Sequence, residues 1–145
     1  IQLQKLNSIT KTSKIAIPGV DEVLDTLGGG SAWSVSNLLS GCSQLTMDPR
    51  SVDLTAFFSP TGLYSWLCMP QGAACAPSWF VNVMRVVTDD LRNFRMYLDD
   101  AIGFDKIPPP HVATLASFFA RLRRYRLILS PPSSRIGVTT VDFLG

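Results

Sequence analysis

Apolar residues recur at helical spacing in three stretches of the chain. Val20, Val23, Leu24 and Leu27 fall at i, i+3, i+4 and i+7, the signature of a short amphipathic helix. Phe80, Val83, Met84 and Val87 share one face of residues 76–92, with Leu91 one turn on. Val112, Leu115, Phe118, Phe119 and Leu122 form the stripe of a longer helix, His111 to Tyr125, preceded by Pro108-Pro109-Pro110. Pro77 suits a first helical turn, and Gly28-Gly29-Gly30 suits the end of one. Between the helices the pattern turns strand-like. Ala32–Leu38 alternates in part. Leu54–Phe58 and Leu63–Met69 flank Ser59-Pro60-Thr61-Gly62 as a hairpin, and Phe94–Leu98 and Ala101–Phe104 flank a turn at Asp99-Asp100. Leu127–Leu129 and Val138–Leu144 read as short strands around a Pro131-Pro132 break. Residues 1–17 are polar, with Ile9, Ile15 and Ile17 interspersed, and read as extended; Pro18-Gly19 and Asp48-Pro49-Arg50 read as turns. The order predicts an α+β domain, an antiparallel sheet with helices on one face. Its expected core includes Val23, Leu24, Leu38, Phe57, Phe80, Met84, Tyr97, Ile102, Leu115 and Phe119.

Composition narrows the class. The 145 residues make one domain, and 46% hydrophobic with 17% charged residues excludes a disordered chain. Ser59, Pro60 and Gly62 interrupt the most apolar stretch, residues 54–69, so no membrane helix is expected. No signal peptide is visible, residue 1 is Ile, and Val141–Gly145 stops within a strand-like run, so the chain reads as a piece of a larger intracellular, non-secreted protein. Three cysteines without a CxxC spacing (Cys42, Cys68, Cys75) argue against a disulfide framework or zinc site and for a reducing compartment, and Cys68 and Cys75 read as small buried residues. The net charge is only +2, but eight of the nine arginines lie between Arg85 and Arg135. Arg121, Arg123, Arg124 and Arg126 end a predicted helix, where cations suit the dipole and could also meet phosphates.

The candidate chemistry centres on Met96-Tyr97-Leu98-Asp99-Asp100-Ala101-Ile102. Adjacent carboxylates repel unless water or a cation intervenes. The pair therefore fits either an acidic hairpin tip in water or a divalent-metal site for phosphoryl transfer. Trp33, Trp66, Trp79, Phe57 and Phe58 fit a core or a base-stacking surface. The single histidine, His111, reads as a surface or cap residue at a helix start. Gly28-Gly29-Gly30 lacks the Lys-Ser/Thr of a phosphate loop.

The run Trp33-Ser34 … Ser40-Gly41 … Gly62-Leu63-Tyr64-Ser65-Trp66 … Met69-Pro70-Gln71-Gly72 … Ala76-Pro77 … Tyr97-Leu98-Asp99-Asp100 … Phe143-Leu144-Gly145 resembles the reverse transcriptase domain of gypsy-type retrotransposons and retroviruses, nearly end to end. The resemblance implies a palm with partial fingers: residues 1–30 and 50–70 fingers-like, residues 31–49 and 71–145 palm-like, with thumb, connection and ribonuclease H outside. It implies two-metal nucleotidyl transfer with Mg²⁺ or Mn²⁺, held by Asp99, Asp100 and the backbone carbonyl of Leu38. Gln71, Gly72 and Tyr97 would face an RNA or DNA template-primer, Gln71 also the incoming deoxynucleotide. Protease, ribonuclease H and integrase segments of a Pol polyprotein would be partners.

Four features depart from that family's pattern. The first catalytic Asp is replaced by Asn37, four residues before Gly41. The aromatic ring that excludes ribonucleotides is replaced by Cys42, and the triphosphate-gripping Arg by Gln4. The lysines expected after Leu129-Ser130-Pro131 are Pro132 and Ser133. Impaired polymerisation is the expectation; the alternative is a non-catalytic module that binds nucleic acid or a protein partner.

Overall fold

The computed structural model describes residues 3–13, 15 and 19–143. Its centre is a four-stranded antiparallel sheet. Strands β1 (Ala32–Leu38), β4 (Phe94–Tyr97), β5 (Asp100–Asp105) and β6 (Leu129–Val138) stand in the order β4-β5-β1-β6. A separate hairpin joins β2 (Phe57–Ser59) to β3 (Gly62–Tyr64). Helices α4 (Ala76–Thr88) and α5 (Pro108–Tyr125) cover one face of the larger sheet. The core lies between them: Leu38, Phe80, Met84, Phe94, Ala101, Phe118 and Leu122 are buried together, and the Phe94 and Phe118 rings stack at 4.1 Å between centroids. Among the described residues no helix is long and apolar enough to cross a membrane, and Cys42, Cys68 and Cys75 are free and half-buried.

Most expected elements are present, with informative differences. Residues Gln4–Ile9 form a helix, α1, rather than extended chain. Asn7 holds it in place: its Nδ2 donates to the Gly72 carbonyl and its Oδ1 accepts the Ala74 N–H, both at 2.8 Å. Helix α2 (Val20–Thr26) buries Val23, while Leu24 is 43% exposed and leaves the expected core. Asp48-Pro49-Arg50 is not a turn but the start of a short helix, α3 (Pro49–Val52), with the Asp48 carboxylate accepting the Arg50 N–H. The β2–β3 hairpin is shorter than expected because Leu54 lies in a 3-10 turn. Strand β6 runs through Pro131 and Pro132 instead of breaking there. It is an edge strand with irregular register, where a missing N–H is tolerated. Its regular pairing ends at Val138, so residues 139–143 are not strand. Ile17, Pro18, Leu144 and Gly145 lie outside the described residues.

Candidate active site

The sheet register brings the acids to Asn37. Strands β4 and β5 are joined by the two-residue turn Leu98-Asp99, with Leu98 in the left-handed region at φ 52°. Tight hairpins favour turns of this twist. Asp99 sits at the tip; Asp100, expected in the turn, is instead the first residue of β5 and stands directly opposite Asn37 of β1. There the Asn37 Nδ2 donates to Asp100 Oδ1 at 2.7 Å. The Leu38 N–H donates to the Asp99 carbonyl at 3.0 Å, which fixes the tip against the end of β1. Tyr97 pairs with Asp100 across the hairpin. Burial, and then the neighbouring Asp100 charge, push the Asp99 carboxyl above its ordinary value.

Beyond β1 the chain turns through Ser40, also left-handed at φ 49°, into a 3-10 turn, Gly41–Gln44. Gly41 is required for closeness: a Cβ there would stand 2.5 Å from Asp99 Oδ1 and 2.6 Å from Phe80 Cζ. Side chain Cys42 follows, its thiol pushed up by burial and by the Asp99 charge. Residues 40–42, the 71–74 turn, Ala76, Pro77 and Asp99 enclose an open cavity of about 290 Å³. The fold therefore gathers Asn37, Asp99 and Asp100 at one point, and Cys42, Gln71 and Gly72 around the adjoining space. Gln4 is outside these walls, exposed at the start of α1. Pro132 and Ser133 are exposed along β6.

One polar cluster was not anticipated from the sequence. His111 is not a surface residue: it is 3% exposed and packed in the first turns of α5. Its Nδ1 donates to Asp105 Oδ2 at 2.8 Å, and its Nε2 lies 2.7 Å from Ser34 Oγ. Ser34 Oγ also accepts the Gly137 N–H at 2.9 Å, and Asn93 donates to the other Asp105 oxygen. The order Ser–His–Asp matches that of hydrolytic triads. Yet Ser34 and Asp105 are 1% and 4% exposed, so no substrate reaches the hydroxyl, and the cluster instead ties β1, β5, β6 and α5 together. The signal was spacing: His111, Leu115, Phe118 and Leu122 are the buried positions of α5, whereas Val112 and Phe119 (38% exposed) face outward.

An antiparallel sheet backed by two helices, with an acidic hairpin tip beside a cavity, defines the palm of a nucleic-acid polymerase. The family model described as reverse transcriptase (RNA-dependent DNA polymerase) matches residues 1–145. The chain belongs to that family. It is 33% identical to polyprotein P3 of Commelina yellow mottle virus over 97% of its length and 8% of the polyprotein. It is also 33% identical to the retrovirus-related Pol polyprotein from transposon 297 of Drosophila melanogaster, over 100% of its length and 14% of that protein. The prototype foamy virus protease-reverse transcriptase superposes with a TM-score of 0.89 at 26% identity, over 99% of this chain and 19% of that one. A foamy viral protease-reverse transcriptase in complex with RNA/DNA hybrid superposes at 0.91 and 21% identity, over 99% and 20%.

Proposed function

We propose that this chain is the palm and partial fingers of a retroelement reverse transcriptase whose nucleotidyl-transfer site is impaired by the loss of one acid. Residues 1–30 and 50–70 are fingers-like and residues 31–49 and 71–145 palm-like. The chain spans 8% and 14% of the two polyproteins named above, so thumb, connection and ribonuclease H belong to sequence outside it. Asp99 and Asp100 are the retained acids and Asn37 stands where the third belongs. The cavity at Asp99 receives a deoxynucleotide, with Cys42 on its wall, and Gln71, Gly72 and Tyr97 face a template-primer. The reading is carried by the hydrogen bond from Asn37 Nδ2 to Asp100 Oδ1, which places a neutral amide within the acid cluster.

Reverse transcriptases use divalent metal ions, and the donor set here does not fit a two-cation centre. Among the described residues no three acidic, histidine or cysteine side chains converge. Two carboxylates and the Leu38 carbonyl are left to face two dications, and Asp100 already accepts an amide proton. A charge about 4 Å from its partner contributes roughly 4 kcal/mol at an effective dielectric near 20. Losing that much transition-state stabilisation leaves roughly a thousandth of the rate. Primer extension with Mg²⁺ or Mn²⁺, on a longer chain carrying the segments its relatives have beyond this one, is expected to give little or no product. Robust synthesis overturns the proposal.

A non-catalytic module that holds nucleic acid is favoured by a separate observation. Arg123, Arg124 and Arg126 are exposed together at the end of α5, while Arg121 pairs with Asp90. Binding to an RNA/DNA hybrid should then weaken steeply with salt; salt-insensitive binding, or none, removes this reading.

A further inference from the structure

We infer that the Asn37 amide takes the place of a divalent cation in this chain, holding the acidic hairpin tip closed without metal. The inference rests on the reading of Asp99 and Asp100 as the remnant of the family's acid cluster, and it adds how that remnant is stabilised.

The geometry leaves the amide one orientation. Asn37 and Asp100 are register partners on neighbouring strands, so their side chains leave the same face of the sheet. An ionised carboxylate only accepts hydrogen bonds, whereas an amide has a donating and an accepting end. At 2.7 Å, Nδ2 must face Asp100 Oδ1. A third carboxylate at this place would set two like charges opposite each other, which is destabilising unless a cation stands between them. The amide proton supplies positive charge at the same point and removes that requirement.

The surroundings hold the arrangement. The backbone bond from Leu38 to Asp99 sets the tip's height, and the bare Cα of Gly41 gives the Asp99 carboxylate its place beside the 3-10 turn, where a Cβ would stand 2.5 Å from Oδ1. For Asn37 to coordinate a metal beside Asp100, its amide would have to turn over. Its oxygen would then lie where Nδ2 now lies, against Asp100 Oδ1. The ion must displace a hydrogen bond already made, rather than relieve a repulsion.

The test compares the wild-type chain with Asn37→Asp, using Mg²⁺ and Mn²⁺ alone as probes. The wild-type unfolding midpoint should be the same in EDTA and in about 10 mM Mg²⁺, because an ion that does not bind the folded state cannot stabilise it. Asn37→Asp should unfold several degrees lower in EDTA and recover with Mg²⁺. A wild-type midpoint that rises with Mg²⁺ as far as the variant's overturns the inference while leaving the acid-cluster reading intact. A variant that ignores both ions overturns that reading itself. If Asn37→Asp does not fold, the Asn37 side-chain amide resonance of the wild-type chain decides. It should keep its intensity through a titration with sub-millimolar Mn²⁺, assigned by its absence in Asn37→Ser. Paramagnetic loss of that signal places a metal at Asp100 and overturns the inference.

Discussion

Replacing His111 by alanine should cost more stability than any single change at the acidic tip. His111 Nδ1 lies 2.8 Å from Asp105 Oδ2 and its Nε2 lies 2.7 Å from Ser34 Oγ, which already accepts the Gly137 N–H. Removing the ring leaves a buried carboxylate with Asn93 as its remaining side-chain partner among the described residues, and a buried hydroxyl without its ring partner. A hydrogen bond to a charged group contributes about 1.5–3 kcal/mol and a neutral one about 1 kcal/mol. With the desolvation of the orphaned carboxylate, the loss comes to about 3–5 kcal/mol. In a domain of this length that lowers the midpoint by roughly 10 °C. Urea and thermal unfolding followed by circular dichroism measure it. His111→Phe separates packing from polarity: it refills the volume but leaves Asp105 without its ring partner, so it should cost nearly as much as alanine. Ser34→Ala alone should cost about 1–2 kcal/mol. The Ser34→Ala, His111→Ala double variant should then lose less than the sum of the singles, since both break one shared bond. A loss below about 1 kcal/mol for His111→Ala, or strict additivity of the two changes, would refute the reasoning.

Three further outcomes follow from the tip itself. Gly41→Ala forces a methyl group against Asp99 Oδ1 and the Phe80 ring, and should destabilise by about 1–3 kcal/mol in the same unfolding assay. Asp99→Asn should raise the unfolding midpoint at pH 7. The folded state raises the Asp99 pKa through burial and Asp100, so ionisation is penalised above the folded value and costs nothing below the unfolded one. The gain should therefore fade as pH falls through the carboxylate range, and a pH-independent gain would contradict it. The same change should speed alkylation of Cys42 near neutral pH, because part of what raises its thiol is the Asp99 charge; mass-spectrometric rates for the labelled peptide check this.

The periodicity of α4 was legible because one contact decides it. Phe80, Met84 and Val87 all face the sheet, and each is apolar. In α5 the buried line passes through His111, a residue whose polarity hides it from any count of apolar positions. Reading Val112 and Phe119 as inward rotated the stripe. Only the partners supplied by distant segments, Ser34 and Asp105, make a histidine acceptable inside. Helix α1 was illegible for a related reason. Its sequence is polar, and what fixes it is the grip of Asn7 on the 72–74 turn, more than sixty residues away.

The site divides along the same line. The family resemblance was enough to set Asn37 beside the acidic hairpin, because Ser40-Gly41 anchors one segment and Tyr97-Leu98-Asp99-Asp100 the other. It could not say that Asp100 lies in a strand and Asp99 in the turn. That distinction separates two carboxylates that look equivalent in the sequence. Asp100 is held by an amide across the ladder, while Asp99 projects beside the cavity and Cys42, with no comparable side-chain donor among the described residues. On the proposed reading, Asn37 in place of an acid is two changes at once. It subtracts a charge that polymerisation needs, and it adds a hydrogen bond that folding can use. Selection on folding alone would keep Asn37, whereas selection on catalysis would remove it.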